Sequence, residues 1–172
     1  VSIKSCLSYT FSVSNSQGTS LIKDRPFTAE MTRSIMLLKE KHYRPRMADY
    51  RIGVFFTGRE QLGEGAKTTA PVYYANRWDI QPSDTAAYLR GEKVKPTKQI
   101  VFYIDNTFPE KWKPYLREGV TQWNELFEQI GFKDVVAAKD FPTDDPEFDP
   151  DNIKYSCVPY APSRIENAMG PS

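Results

Sequence analysis

The chain has 172 residues, of which 40% are hydrophobic, 13% aromatic and 26% charged, the composition of an ordinary globular protein with one domain or two small ones. No apolar run is long enough to span a membrane. Net charge is +1, but residues 1–95 hold 15 Lys+Arg against 9 Asp+Glu, net +6, and residues 96–172 hold 8 against 13, net −5; a basic half without interleaved aromatic and basic residues is no nucleic-acid signature.

The charge shift predicts a boundary near Lys95-Pro96, with a β-rich module over 1–95 and a second unit over 96–172. The opening at Val1, without a signal-peptide pattern, is expected of a processed or excised chain. Leu7, Tyr9, Phe11 and Val13 alternate with Ser8, Thr10 and Ser12, which predicts a half-buried strand over residues 1–13. Residues 14–20 form a loop. Thr28 to Leu38 fits strand or helix and is read as strand, because its neighbours are strands. Pro45 forbids a regular helix through the basic stretch Lys39 to Arg51. Arg51 to Thr57 reads as another strand, Gly58 to Thr69 as a Gly-rich linker, and Pro71 to Ile80 as a long strand. Pro82-Ser83-Asp84 caps a short helical turn over Thr85 to Leu89.

The strongest local pattern runs from Thr97 to Lys139. Lys98 to Ile104 is a β-branched and aromatic strand. Trp112, Leu116, Val120, Trp123, Phe127 and Ile130 then recur at spacings of three and four, the apolar stripe of one helix of about six turns. Pro109 and Pro114 fix its start. Gly131 suits a left-handed C-terminal cap with Phe132 packing back. Gly119 is either a point of close approach to a sheet or incidental. Asp134 to Ala138 is a second strand, and the strand-helix-strand order implies a crossover with parallel strands. A carboxylate-rich extended loop with three prolines follows, then an edge strand over Ile153 to Tyr160.

Chemistry-bearing clusters are sparse. One histidine, His42, makes His-Glu-x-x-His impossible, and no Gly-x-Ser-x-Gly elbow serves a hydroxyl nucleophile. Asp144, Asp145, Glu147, Asp149 and Asp151 supply enough oxygens for Ca²⁺ but lack the EF-hand spacing; a solvated loop is the competing reading. Arg44, Arg46 and Arg51 beside Asp49 are either an anion site or structural ion pairs. Gly63-Glu64-Gly65 lacks the spacing of a phosphate loop. Cys6 and Cys157 form no C-x-x-C pattern, and their pairing stays open.

Several blocks carry a resemblance: Met31 to Leu38, His42 to Phe55, Asn76-Arg77-Trp78, the strand Ile100 to Asp105, Glu118 to Asn124 with Gly131-Phe132-Lys133-Asp134, and Asn167 to Ser172. Together they resemble a family of large bacterial zinc-dependent metallopeptidases, common in Bacteroidetes and related to the metzincins. The resemblance implies an α+β fold, in which a β-rich N-terminal module precedes a metzincin-like mixed sheet with one long helix. It implies that the helix braces the back of the sheet and that Ile153 to Tyr160 lies toward the substrate edge. No position matches a zinc ligand or catalytic glutamate of the family. The expected chain is therefore an inert front part whose partner is the remainder of its own catalytic domain. Zinc and a peptide or protein substrate belong to the parent, which is expected outside the cytoplasm. The alternative is a non-enzymatic binding or prodomain-like module that docks a separate chain. A sheet cut short predicts an open strand edge and exposed apolar surface.

Overall fold

The computed structural model describes residues 1–37, 43–63, 65 and 67–162. Two antiparallel hairpins come first. Strands β1 (Ser2–Ser14) and β2 (Ser20–Ser34) pair from Ser2↔Ser34 to Ser14↔Ser20, with an irregularity after Phe11. Strands β3 (Phe56–Leu62) and β4 (Thr69–Ala75) form the second.

Local sequence signals explain much of this, with corrections. β1 is a strand but is not half-buried: Leu7, Tyr9, Phe11 and Val13 are 36–42% exposed, because a two-stranded sheet has no second layer over that face. β2 extends back to Ser20 through Pro26, tolerated because each strand of a two-stranded sheet is an edge. Residues 51–55 are not strand; the Asp49–Arg51 turn occupies them in part, and β3 begins at Phe56. The stretch read as a linker from Gly58 is strand as far as Leu62. Gly58 lies beside Tyr73, whose ring carbon would meet an added methyl at 3.4 Å, an ordinary contact. β4 stops at Ala75, where the Asn76 N–H turns to the Phe55 carbonyl, and Trp78 instead packs edge-on against Phe102.

Helix α1 (Thr85–Leu89) follows as expected, its N-cap Asp84 carboxylate accepting from the Ala87 N–H at 2.9 Å. Strand β5 (Ile100–Ile104) leads through helices α2 (Lys113–Thr121) and α3 (Trp123–Gln129) to strand β6 (Val136–Asp140), which is parallel to β5. The single long helix is divided into two segments only at Gln122, which keeps helical dihedrals (φ −54°, ψ −29°) and an N–H bond to the Glu118 carbonyl; beside it the Thr121 hydroxyl bonds back to the carbonyls of Arg117 (2.8 Å) and Glu118 (3.3 Å). Pro114 sits in the first turn of α2. At the far end Gly131 has φ +86°; its N–H reaches Glu128 and that of Phe132 reaches Phe127, a Schellman cap.

Strand β7 (Ser156–Val158) pairs on the other side of β5, giving the order β6-β5-β7. The sheet expected to be mixed is parallel in all its described strands. The acidic loop between β6 and β7 is long enough to cross over, and it covers one sheet face with Phe141, Phe148 and Tyr155 around Tyr103. The helices cover the other face. There Ala87, Val94, Ile100, Phe132, Val135 and Val136 form the buried core, backed by Tyr88, Phe102, Val120 and Phe127. Ala87 and Val94 precede Pro96 and pack into one cluster with residues that follow it.

Candidate functional site

The open side of the α/β unit is where β5, β7 and the helices meet. Phe102 comes from β5 and Val158 from β7. Tyr115, Leu116, Gly119 and Val120 come from α2, and Trp123 from α3. Together they line a groove of about 380 Å³. The apolar stripe predicted for the helix divides here. Leu116, Val120 and Phe127 are half-buried toward the sheet, whereas Trp112, Trp123 and Ile130 are 44%, 59% and 57% exposed. Nothing lies within 4 Å of a methyl built at Gly119, so this glycine permits no close helix–sheet approach; it leaves the groove floor open. β7 pairs only with β5 among the described strands, and its outer edge continues the groove.

Asp105 anchors one end of this edge. Its carboxylate accepts the Thr107 N–H at 2.9 Å, the Thr107 hydroxyl at 2.8 Å and the Tyr160 N–H at 3.1 Å. Burial raises its pKa, but these hydrogen bonds and the nearby Lys113 charge outweigh burial and hold the group below the ordinary carboxylate range. Tyr160 stacks near Phe108 and Trp112, at 4.9 and 6.1 Å between centroids, so Asp105 ties the exit of β7 to the entry of α2. Lys113 is 8% exposed and pairs with Glu110 at 2.6 Å. The Cys157 thiol is pushed up by burial first, then by the charges of Asp151, Asp105 and Asp149. Both effects disfavour the thiolate that nucleophilic attack needs. Both Cys6 and Cys157 are free thiols.

The residues singled out from the sequence are scattered over other elements. Asp149 pairs with Lys4 at 3.2 Å, and Asp151 accepts from the Thr32 hydroxyl at 3.1 Å. Asp145 and Asp149 accept the N–H groups of Glu147 and Asp151. These carboxylates thus shape the loop and dock it on the first hairpin; the carboxylates of Asp144 and Glu147 make no such contact among the described residues. Arg51 pairs bidentately with Asp49, Nε at 2.9 Å and Nη2 at 2.6 Å, whereas Arg44 and Arg46 contribute backbone carbonyls to Arg77 and Ala75. His42 lies outside the described residues. Among the described residues no three His, Cys, Asp or Glu side chains converge as a metal site.

Two side chains that sequence reasoning passed over shape the unit. Asn124 donates to the Val136 carbonyl at 2.9 Å and accepts its N–H at 2.8 Å, so its amide replaces a strand neighbour on the outer edge of β6. Arg117 clamps Asp140 at 2.6 and 2.7 Å. Asn124 follows Val120 by four residues and precedes Phe127 by three, so helical spacing sets it beside the half-buried part of the stripe; a polar residue there was the available signal.

Residues 1–83 match a family model described as a domain of unknown function, DUF5117. The matched stretch holds both hairpins and stops just before α1. No curated protein and no solved structure matches the chain, so the chain is similar to this domain over residues 1–83.

Proposed function

We propose that this chain is the non-catalytic front part of a zinc-dependent metallopeptidase acting outside the cytoplasm, and that it scaffolds a catalytic centre whose zinc ligands lie elsewhere in the parent. The reading rests on the resemblance of its sequence blocks to that family. The structural observation that supports it best is the open side of the parallel sheet. The edge of β7 that pairs with no described strand, and the groove beside it, present backbone donors and acceptors next to Phe102, Val120, Trp123 and Val158. Such an edge invites another strand, here the remainder of the catalytic domain.

The complete product of the gene and the 172-residue chain would be compared for bound zinc by mass spectrometry and for cleavage of a quenched fluorescent peptide. The complete product should hold stoichiometric zinc and lose its cleavage in phenanthroline; the 172-residue chain should show neither. A zinc-free, inert complete product would sink the reading and leave the docking-module alternative.

A further inference from the structure

The first hairpin has two unlike faces. Directly opposed residues share a face of an antiparallel pair. Lys4↔Thr32, Cys6↔Glu30 and Ser8↔Thr28 therefore make a polar face. That face is engaged by the chain itself, through Lys4 with Asp149 and Thr32 with Asp151. The opposite face carries Ser5↔Met31, Leu7↔Ala29 and Tyr9↔Phe27. Tyr9 stacks on Phe27 at 5.5 Å, Phe11 meets Phe27 edge-on at 5.7 Å, and the Tyr9 hydroxyl reaches the Met31 sulfur at 3.7 Å. This band remains 36–45% exposed at Leu7, Tyr9, Phe11, Phe27 and Met31. An arginine closes each end: Arg25 opposite Phe11 and Arg33 opposite Ile3. Neither forms an ion pair among the described residues, although Arg33 donates to the Ser5 hydroxyl at 3.1 Å.

We propose that this face docks a separate polypeptide segment that is extended, apolar at its centre and acidic at both ends. Charge complementarity selects that occupant. Arg25 and Arg33 stand eight residues apart on one strand, about 27 Å at ~3.4 Å per residue, so the carboxylates must flank an apolar stretch of that length. A second copy is disfavoured, because stacking two such faces in either direction sets arginine against arginine. A lipid surface is disfavoured too: seating the face in hydrocarbon would draw the outer strand edges, unpaired among the described strands, out of water, whereas a segment laid on the face leaves them solvated. An isolated hairpin is marginal in water, so covering this face also stabilises the module. The proposal is independent of the peptidase reading, since it concerns a face remote in sequence from β5 and β7.

The probes are two fluorescein-labelled peptides of alternating Val and Thr, one with Glu pairs at both ends and one with Lys pairs, about nine residues apart. Each is titrated with the 172-residue protein by fluorescence anisotropy. The Glu-ended peptide should bind at least about tenfold tighter, with the preference shrinking in high salt. The exposed double reversal Arg25→Glu with Arg33→Glu should invert the preference, and Phe27→Ser should weaken both peptides. Equal binding, no saturable binding to either, or an order unchanged by the reversal overturns the proposal. So does a concentration-dependent dimer abolished by Phe27→Ser, which assigns the face to a second copy. Sedimentation with phosphatidylglycerol vesicles in place of peptide binding assigns it to lipid and also overturns it.

Discussion

Gly131 lies against the ring of Tyr88: a methyl group built on its backbone would meet Cε2 of Tyr88 at 2.9 Å. The Tyr88 hydroxyl donates to the Ile130 carbonyl at 3.0 Å, and its ring packs on Phe132 at 5.1 Å. One tyrosine of α1 thus closes the end of α3 over the core. Gly131→Ala combines a positive φ with a clash and should cost about 2 kcal/mol or more. Chemical denaturation would show this as a lower midpoint at unchanged slope. Gly119→Ala, with open space around it, should instead be neutral or stabilising by up to about 1 kcal/mol.

Asn124 satisfies both backbone groups of Val136 that face away from β5. Asn124→Leu leaves a half-buried N–H and C=O unpaired and should cost about 2–4 kcal/mol. Asn124→Asp keeps the acceptor for the N–H and loses the donor, so its midpoint should fall between those of wild type and Asn124→Leu. Equal midpoints for wild type and Asn124→Leu would contradict the bridging role.

The apolar positions of the α/β unit should respond unequally. Phe132 is 5% exposed, and Phe132→Ala should cost about 3–5 kcal/mol. Trp123 is 59% exposed on the groove, and Trp123→Ala should stay within about 1 kcal/mol. The wild-type chain should bind a hydrophobic dye in its native state, with a weaker signal in Trp123→Ala. A dye-silent wild type would mean that the groove is closed in solution.

Asp105 gives the acid response a definite sign. Its folded-state pKa lies below the ordinary 3.8, so the folded state binds the proton less readily than the unfolded chain. Its contribution is full above the unfolded value, near pH 4, and is lost as pH falls through the lower folded value. Asp149 acts in the same direction, through the Asp151 N–H first and then Lys4. Melting temperature followed from pH 6 to pH 2 should fall more steeply for wild type than for Asp105→Asn. Parallel curves would remove Asp105 from the account.

Signals that act within a few residues were legible in the chain. Asp84 caps α1, Pro114 marks the first turn of α2, and Gly131 ends α3, because caps, fixed φ angles and left-handed glycines are properties of the local backbone. The two parallel strands around a helical crossover were legible from periodicity and connection length. The residues of the helical stripe were legible, but their reading as one buried face was not met at Trp112, Trp123 and Ile130.

Only the tertiary structure decided which part of that stripe is covered, since burial depends on what packs opposite. It turned the acidic loop into a crossover whose aromatics lie on Tyr103. It recruited Ala87 and Val94 into a core shared with residues beyond Pro96. It gave Asn124 a strand edge to complete. These outcomes depend on contacts between residues far apart in sequence, whose apolar and polar patterns fit several pairings until one partner occupies the space.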